Sequence, residues 1–583
     1  MSQAFFDVEH SLTGRRWVGP DLDTARQAEA LAQATGLPAP LCQILARRNV
    51  PPDMAESFLA PTLRDLMSDP RDLRDAEIAA KRLVSAVTRG EKVAVFADYD
   101  VDGGSSAALL ISWLRSFGMS TTLYVPDRID EGYGPNDEAM RALAADHDLI
   151  ICVDCGTLSH GPIAAVRGAD VVVLDHHLGG ETLPAALAVV NPNRQDEDGA
   201  LGHLCAAAVV FLVLVETGRQ LREDGRQGPE LMALLDLVAL ATVADVAPLV
   251  GVNRAFVRQG LRIMSRRERK GLAALADVAG IDTAPAAYHL GYLLGPRINA
   301  GGRVGRADLG ARLLATDDPN EAQSIAEKLD ELNAERRDIE ASVLAAAVAQ
   351  AEARGLDAPL VWAAGPGWHP GVVGIVASRL KEAAGRPAVV IGIQDGVGKG
   401  SGRSVSGIDL GASIQRLAAE GLLLKGGGHR MAAGLTVAED RIEAAMARLS
   451  ELLDRQGAGS LGPVDLRCDG ALMPSAVSVE LVEQIEQAGP FGSGAPGPRY
   501  AFGNMRLFYA KRVGEKHLKL SFGDVEGPRI DAISFGAFDG PLGSVLEGHG
   551  GAPFHLAGRL EVNTFRGQTR VQLRLEDAAR VDC

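Results

Sequence analysis

Three short apolar runs in this chain each end in residues able to hold a divalent cation. Lys92-Val93-Ala94-Val95-Phe96 leads into Asp98-Tyr99-Asp100-Val101-Asp102-Gly103, Leu149-Ile150-Ile151-Cys152-Val153 into Asp154-Cys155-Gly156, and Val171-Val172-Val173-Leu174 into Asp175-His176-His177. Continuous apolar runs of this length read as strands buried on both faces, and an open parallel sheet gathers its ligands outside the carboxyl ends of such strands. All three clusters are therefore expected on one rim. Three aspartates within five residues, with further aspartates and paired histidines nearby, would repel one another in a partly buried crevice unless cations neutralised them. Hard ions that prefer oxygen and tolerate imidazole suit this set: Mn²⁺ first, Mg²⁺ close behind, Zn²⁺ last. Taken singly, each strand-end aspartate reads equally well as a helix N-cap. The repetition is what favours a metal centre.

The elements that must position these residues follow from the pattern. Strands and helices alternate from Val93 to about Asn193, with further strands at Leu123-Tyr124-Val125 and Ala188-Val189-Val190, the pattern of a doubly wound parallel sheet. A helical segment from Leu231 ends near Asp245, whose place between apolar neighbours turns it back toward the rim. Asp318-Pro319 is an N-cap followed by Pro at the first helical position, and no Gly or Pro occurs from Asn320 to Arg354. That predicts a helix of about 36 residues, roughly 54 Å long, bridging two domains. Beyond it, Leu360 to Ala363, Val372 to Leu380 and Ala388 to Ile391 restart an α/β pattern in a second lobe. Past the Gly- and Pro-rich stretch 489–496, Leu518 to Phe522 and Arg570 to Leu575 alternate as antiparallel strands do, which suggests a small β-barrel. The expected fold is α/β: two α/β lobes joined by a long helix, followed by the barrel. The boundaries read as 1–82 (helix and loop, no assigned role), 83–310, 311–357 (the connecting helix), 358–460 and 461–583.

A chain of 583 residues is too long for one core and calls for three or four domains. Hydrophobic residues at 46% and charged residues at 23% describe an ordinary globular protein. No run approaches the roughly 18 apolar residues of a membrane span, and Met1 to Asp7 lack the basic region of a secretory signal, so the expectation is a cytoplasmic protein with no membrane partner. Six scattered cysteines (Cys42, Cys152, Cys155, Cys205, Cys468, Cys583) include one CxxC spacing, at Cys152 and Cys155. One such pair is a weak zinc or redox signal, and reduced structural thiols are the simpler reading. The net charge of −16 does not suggest a nucleic-acid partner. A sum can hide a basic groove, however, and the runs Arg266-Arg267-Glu268-Arg269-Lys270 and Lys511-Arg512 with Lys516 to Lys519 are local exceptions, each more often a solvated face than a binding strip.

At the aspartate clusters the chain also resembles the DHH phosphoesterase superfamily. The match rests on the Asp-Tyr-Asp-Val-Asp-Gly run, the Asp-Cys-Gly, and above all Asp175-His176-His177. Further along, the segment Leu240 to Leu249, Gly295-Pro296-Arg297-Ile298-Asn299-Ala300-Gly301-Gly302-Arg303, Gly400-Ser401-Gly402-Arg403-Ser404 and Gly426-Gly427-Gly428-His429 resemble the RecJ family of bacterial single-stranded-DNA exonucleases within it. The resemblance runs from about Leu83 onward. It implies that the first lobe is a DHH domain, the second a DHHA1 domain and the barrel an OB-fold.

By motif position it further implies that Asp100, Asp102, Asp154, His176 and Asp245 are ligands of two Mn²⁺ or Mg²⁺ ions, with Asp154 bridging and Asp98 a ligand or close support. Phe96 stands where many relatives carry a histidine, so Asp98 is the candidate substitute. His177 would contact the scissile phosphate or carry acid–base chemistry, and Asp175 would orient its neighbours. Asp98, Asp154 and His177 form the catalytic set. Two ions about 3.5–4 Å apart activate water and stabilise both oxygens of an in-line displacement, so no protein nucleophile is required.

An exonuclease must also recognise an end. Arg128 follows a strand on the same rim, and with Ser401 and Arg403 it would hold a terminal 5′ phosphate, as the resemblance implies. His429, after three glycines, would touch phosphate or base, unless those glycines are simply a helix C-cap. Arg297, Asn299 and Arg303 suit backbone contacts to the strand or interdomain packing, and Tyr133 could stack on a base or merely pack. The implied function is 5′→3′ degradation of single-stranded DNA to mononucleotides in repair and recombination, with a single-strand-binding protein and a RecQ-type helicase as partners. Two other readings are a DHH phosphodiesterase acting on dinucleotides or very short oligonucleotides, and an inactive replication scaffold. The C-terminal β-rich segment opposes the first, and the intact carboxylates oppose the second.

Overall fold

A computed structural model describes residues 3–128, 130–460, 465–565 and 568–581 and resolves them into two units. The larger comprises Ser68–Pro248 and Phe256–Leu461; the smaller comprises the described residues of Met1–Met67, Leu249–Ala255 and Gly462–Cys583.

The larger unit is built on two sheets. In the first, β1 (Val93–Ala97), β2 (Thr121–Tyr124), β3 (Leu149–Val153), β4 (Asp170–Leu174) and β5 (Ala188–Val190) run parallel in the order β2-β1-β3-β4-β5. β1 and β3 are buried along their whole length, as continuous apolar strands covered on both faces must be. This order reverses direction between β1 and β3, and there a parallel sheet opens a crevice beyond its carboxyl ends. The helices that flank that point are α1 (Val101–Arg115), α2 (Ala206–Glu223) and α3 (Leu235–Ala244). Asp245 is the C-cap of α3.

The long helix α4 spans Pro319–Arg354, 36 residues, with the Asp318 side chain accepting a hydrogen bond from Asn320 N at 2.8 Å. It is not solitary. Ala322, Ile325, Ala326, Leu329 and Leu332 bury one stripe in its first half, and Val343, Ala347 and Ala351 pack against Val361, Val372 and Val376 in its second. Both lobes thus close onto one helix. The second sheet contains β6 (Val361–Pro366), β7 (Ala388–Gln394), β8 (Val397–Arg403), β9 (Lys425–His429) and β10 (Ala432–Ala438), in the order β9-β10-β8-β7-β6, with α5 (Pro370–Ala384) packed against it. The segment Gly426 to His429 is therefore an edge strand, and the helix C-cap reading does not hold.

In the smaller unit, β11 (Tyr500–Val513), β12 (His517–Gly523), β13 (Arg529–Ser534), β14 (Pro553–Phe565) and β15 (Gln568–Arg580) pair in the order β11-β12-β13-β15-β14, and β14 returns to β11 to close a barrel. Its core joins Phe502, Leu518, Phe522 and Leu573 to Leu41 and Ile44 of the N-terminal helix Ala39–Arg47. Arg16–Val18 pairs in parallel with Asp465–Arg467, and Trp17 Nε1 donates to buried Asp577 Oδ2 at 3.0 Å. The N-terminal region and the barrel are one body. The span 1–82 is divided, because Ala76–Arg89 packs instead on α2 in the larger unit.

Candidate metal centre and phosphate cavity

Sheet register assembles the acidic cluster. Ala97, Val153 and Leu174 end aligned strands, and the ladder continues one residue further: Asp98 N donates to Val153 O, Asp154 N to Leu174 O and Asp175 N to Val190 O. Asp98, Asp154 and Asp175 consequently stand side by side on one rim. Asp154 is held at φ 59°, a left-handed conformation uncommon outside glycine, and Val246, next to Asp245, at φ 61°. For a β-branched residue that conformation is strained, and it sits where the chain must present Asp245. A Cβ at Gly103 would collide with the carbonyl oxygen of Asp98, so only glycine lets α1 start so close to the rim.

Within the cluster, His176 Nε2 lies 3.3 Å from Asp154 Oδ1, 3.7 Å from Asp102 Oδ2 and 3.8 Å from Asp245 Oδ2. Ligand atoms of Asp98, Asp100 and Asp154 gather within 4.8 Å of one another, as do those of Asp102, His176 and Asp245 and those of Asp154, His176 and His177. Asp154 belongs to two of these groups. Asp100 is both group member and N-cap: its Oδ1 accepts from Asp102 N and Gly103 N. Asp102 is oriented by the N-terminus of α2, where Ala206 N and Ala207 N donate to its two oxygens at 2.6 and 2.8 Å.

Burial, then the neighbouring carboxylates, pushes Asp98 and Asp245 up to about 8 and Asp154 well above the ordinary carboxylate range; Asp102 is raised chiefly by burial. Asp98 Oδ1 is buried with no hydrogen-bond donor. Asp154 Oδ1 is buried without one as well, and oxygen-rich groups that resist ionisation, two of their atoms orphaned, fit hard divalent cations. Asp175 goes the other way. Burial would raise it, but the hydrogen bond and charge of His177, at 2.9 Å, and the Thr157 N–H hold it low. His177 in turn is pushed up to about 9, the bond and charge of Asp175 outweighing burial.

Phe96 is buried in the apolar cluster against Tyr124, with ring centroids 5.3 Å apart, and takes no part in the centre. Tyr133 turns its hydroxyl to Asp154 O at 3.0 Å and His177 Nδ1 at 3.1 Å, so its contacts make it a brace for His177. Arg297 is engaged by Asp330 at 2.8 Å and Leu293 O, and Asn299 Oδ1 accepts from Val101 N at the start of α1. Both contacts position elements. For these three residues, spacing could not distinguish a hand on the substrate from a hand on the scaffold.

Tyr99, between two cluster aspartates, hydrogen-bonds and stacks under the guanidinium of Arg128, 5.1 Å over its ring. Arg128 faces a cavity of about 460 Å³ that also takes in Arg303, Ser401, Lys399 and Lys425. The two lysines were not singled out by sequence; only the alternation of β8 with a neighbouring strand marks them. Arg403 lies beside Ser401 under α5, and burial, with the charges of Arg303 and Arg128, holds it below its ordinary value. His429 is exposed on the edge strand and does not line the cavity. A larger cavity, about 600 Å³, holds none of the cluster; at its wall Arg269 pairs with buried Asp236, and Arg267 with Asp277, which engages two of the four basic residues of that run.

Residues 92–242 match the DHH family N-terminal domain, 341–455 the DHHA1 domain and 468–577 the RecJ OB domain. The single-stranded-DNA-specific exonuclease RecJ of Dickeya dadantii is 40% identical over 93% of this chain and 96% of its own length. That of Escherichia coli is 38% identical over 87% and 90%. The crystal structure of RecJ in complex with Mn²⁺ from Thermus thermophilus superposes with a TM-score of 0.80 at 29% identity, covering 97% of this chain and 80% of that one. A Mg²⁺ complex from the same source gives 0.74.

Proposed function

Because the chain belongs to the RecJ family of single-stranded-DNA-specific exonucleases, we propose that it hydrolyses single-stranded DNA from the 5′ end to mononucleotides, using two Mn²⁺ or Mg²⁺ ions held in the acidic cluster. The observation that carries this reading is the in-register row of Asp98, Asp154 and Asp175 beside a cationic cavity. Asp98, Asp100 and Asp154 would hold one ion, and Asp154, Asp102, His176 and Asp245 the other. When bound, such ions supply Lewis acidity at the phosphoryl oxygens and make water a better nucleophile. Asp175 fixes His177 through Nδ1, leaving Nε2, protonated at neutral pH, to face the scissile phosphate and the leaving 3′ oxygen. Arg128, Arg303, Ser401 and Arg403 hold the terminal 5′ phosphate and place the first diester bond at the centre.

The barrel supports a polymer substrate over a dinucleotide. Lys511 and Lys519 stand opposite each other on β11 and β12, and Tyr509 and Phe535 are exposed aromatics, the mixture that grips a single strand through phosphates and stacking. Among the described residues no helix is long and apolar enough to cross a membrane. The reading extends to action in the cytoplasm beside a single-strand-binding protein and a RecQ-type helicase. Single strands labelled at either end, with and without 5′ phosphate, test it with Mn²⁺. A 5′ label should appear at once as mononucleotide, and Arg403→Ala should narrow the preference for phosphorylated ends by about one to two decades. Release of mononucleotide from the 3′ label first would overturn the polarity.

A further inference from the structure

The cavity is larger and more cationic than one terminal phosphate requires. Arg128, Arg303, Lys399 and Lys425 line it, and among the described residues no carboxylate does. A terminal phosphate carries about −1.5 to −2 charges. The arginines with Ser401 already answer that, which leaves two lysines over. Among the described residues the lysine ion pairs are those of Lys328 and Lys516, so Lys399 and Lys425 face the cavity without an acidic partner. Register brings them together: Lys399 pairs with Thr436, and Thr436 with Lys425, one row across three strands.

The next row on the same face is Ser401, Gly434 and Gly427, roughly 7 Å away at two residues of strand rise. A Cβ at Gly434 or Gly427 would meet nothing within 4 Å, and neither has a left-handed backbone, so packing does not demand glycine at either place. What the two bare positions do is keep an open floor between the terminal-phosphate residue Ser401 and the lysine row. Burial and the charge of Arg128 hold Arg303 below its ordinary value, and burial with the charges of Arg303 and Arg128 does the same to Arg403, so cationic groups crowd this end of the cavity.

We propose that the Lys399–Lys425 end of the cavity is a polyphosphate-binding extension of the terminal-phosphate site, which admits single strands whose 5′ end carries a diphosphate or triphosphate. This rests on the exonuclease reading above. The chemistry stays the same: water attacks phosphorus of the first internucleotide diester, the P–O3′ bond breaks, and the 3′ oxygen leaves with a proton. The products are a nucleoside 5′-triphosphate with a free 3′-hydroxyl and a shortened strand that keeps a 5′ monophosphate. Only the first cut uses the extension.

The test compares one single-stranded oligonucleotide with a 5′ monophosphate or a 5′ triphosphate, incubated with the Mn²⁺-loaded full chain and with a Lys399→Ala/Lys425→Ala double variant. Products are identified by mass. The parent should accept both ends and release nucleoside triphosphate in its first turnover. The variant should lose about tenfold or more in kcat/KM on the triphosphate end and keep its rate on the monophosphate end. Equal losses on both ends would make the lysines a general strand contact and overturn the proposal. So would a parent that rejects the triphosphate end while digesting the monophosphate. A parent that digests neither would bring down the exonuclease reading as well.

Discussion

Asp154 concentrates the electrostatic problem of the centre: it is buried, held in a left-handed conformation and close to both His176 and four other carboxylates. Asp154→Ala should therefore reduce cleavage at least about a hundredfold. The metal-free variant should melt no lower than the parent at pH 8, since it sheds a buried charge and little packing. Cleavage near the parent rate at saturating Mn²⁺ would remove Asp154 from the centre. A second expectation comes from the raised carboxylates. Asp98 and Asp245 sit near 8 when folded, against about 4 in an unfolded chain, so between those values the folded state binds more protons. Stability of metal-free protein must then fall as pH rises from 4 toward 8. Thermal melts in chelator should show a lower Tm at pH 8 than at pH 6, with Mn²⁺ raising Tm more at pH 8; a flat profile would mean that the cluster relaxes without metal.

At the scale of elements, α4 is a spine and not a tether. Leu329 is fully buried and packs against Gly301 of the helix Gly295–Val304. Leu329→Ala should cost about 2–5 kcal/mol, measured by denaturant unfolding, while activity per folded molecule is kept. A loss of activity without loss of stability would assign the helix a direct role at the site. The edge strand Lys425–His429 illustrates a limit of local reading. Three glycines before a histidine carry almost no propensity signal, and pairing with β10 alone makes them a strand.

For the whole molecule, the association of residues up to Met67 with the barrel changes how truncation must be designed. Removing 462–583 alone would strip Trp17 of Asp577 and expose Leu41 and Ile44. Such a chain should aggregate. A chain spanning 68–461, with Arg254→Ala because its guanidinium would lose Phe58 and Ala488, should keep cleavage of very short oligonucleotides. It should also bind long strands more weakly and with a shallower salt dependence. Equal affinity for long strands in the two forms would make the smaller unit structural.

The acidic rim was legible because its cause is local: an apolar strand, then a carboxylate at its end, repeated at spacings that a parallel sheet brings into line. The long helix was legible for the same reason, from its Asp-Pro start and the absence of breakers over Asn320 to Arg354. Tertiary structure alone decided what depends on partners distant in the chain. Arg297 and Arg303 are alike in sequence, yet one is neutralised by Asp330 and the other opens into the cavity. Lys399 and Lys425 become neighbours through Thr436. Trp17 finds Asp577 across the whole length of the chain. A side chain's chemistry is written in its type, but whether it serves substrate or scaffold depends on which opposite charge, or open space, folding brings to it.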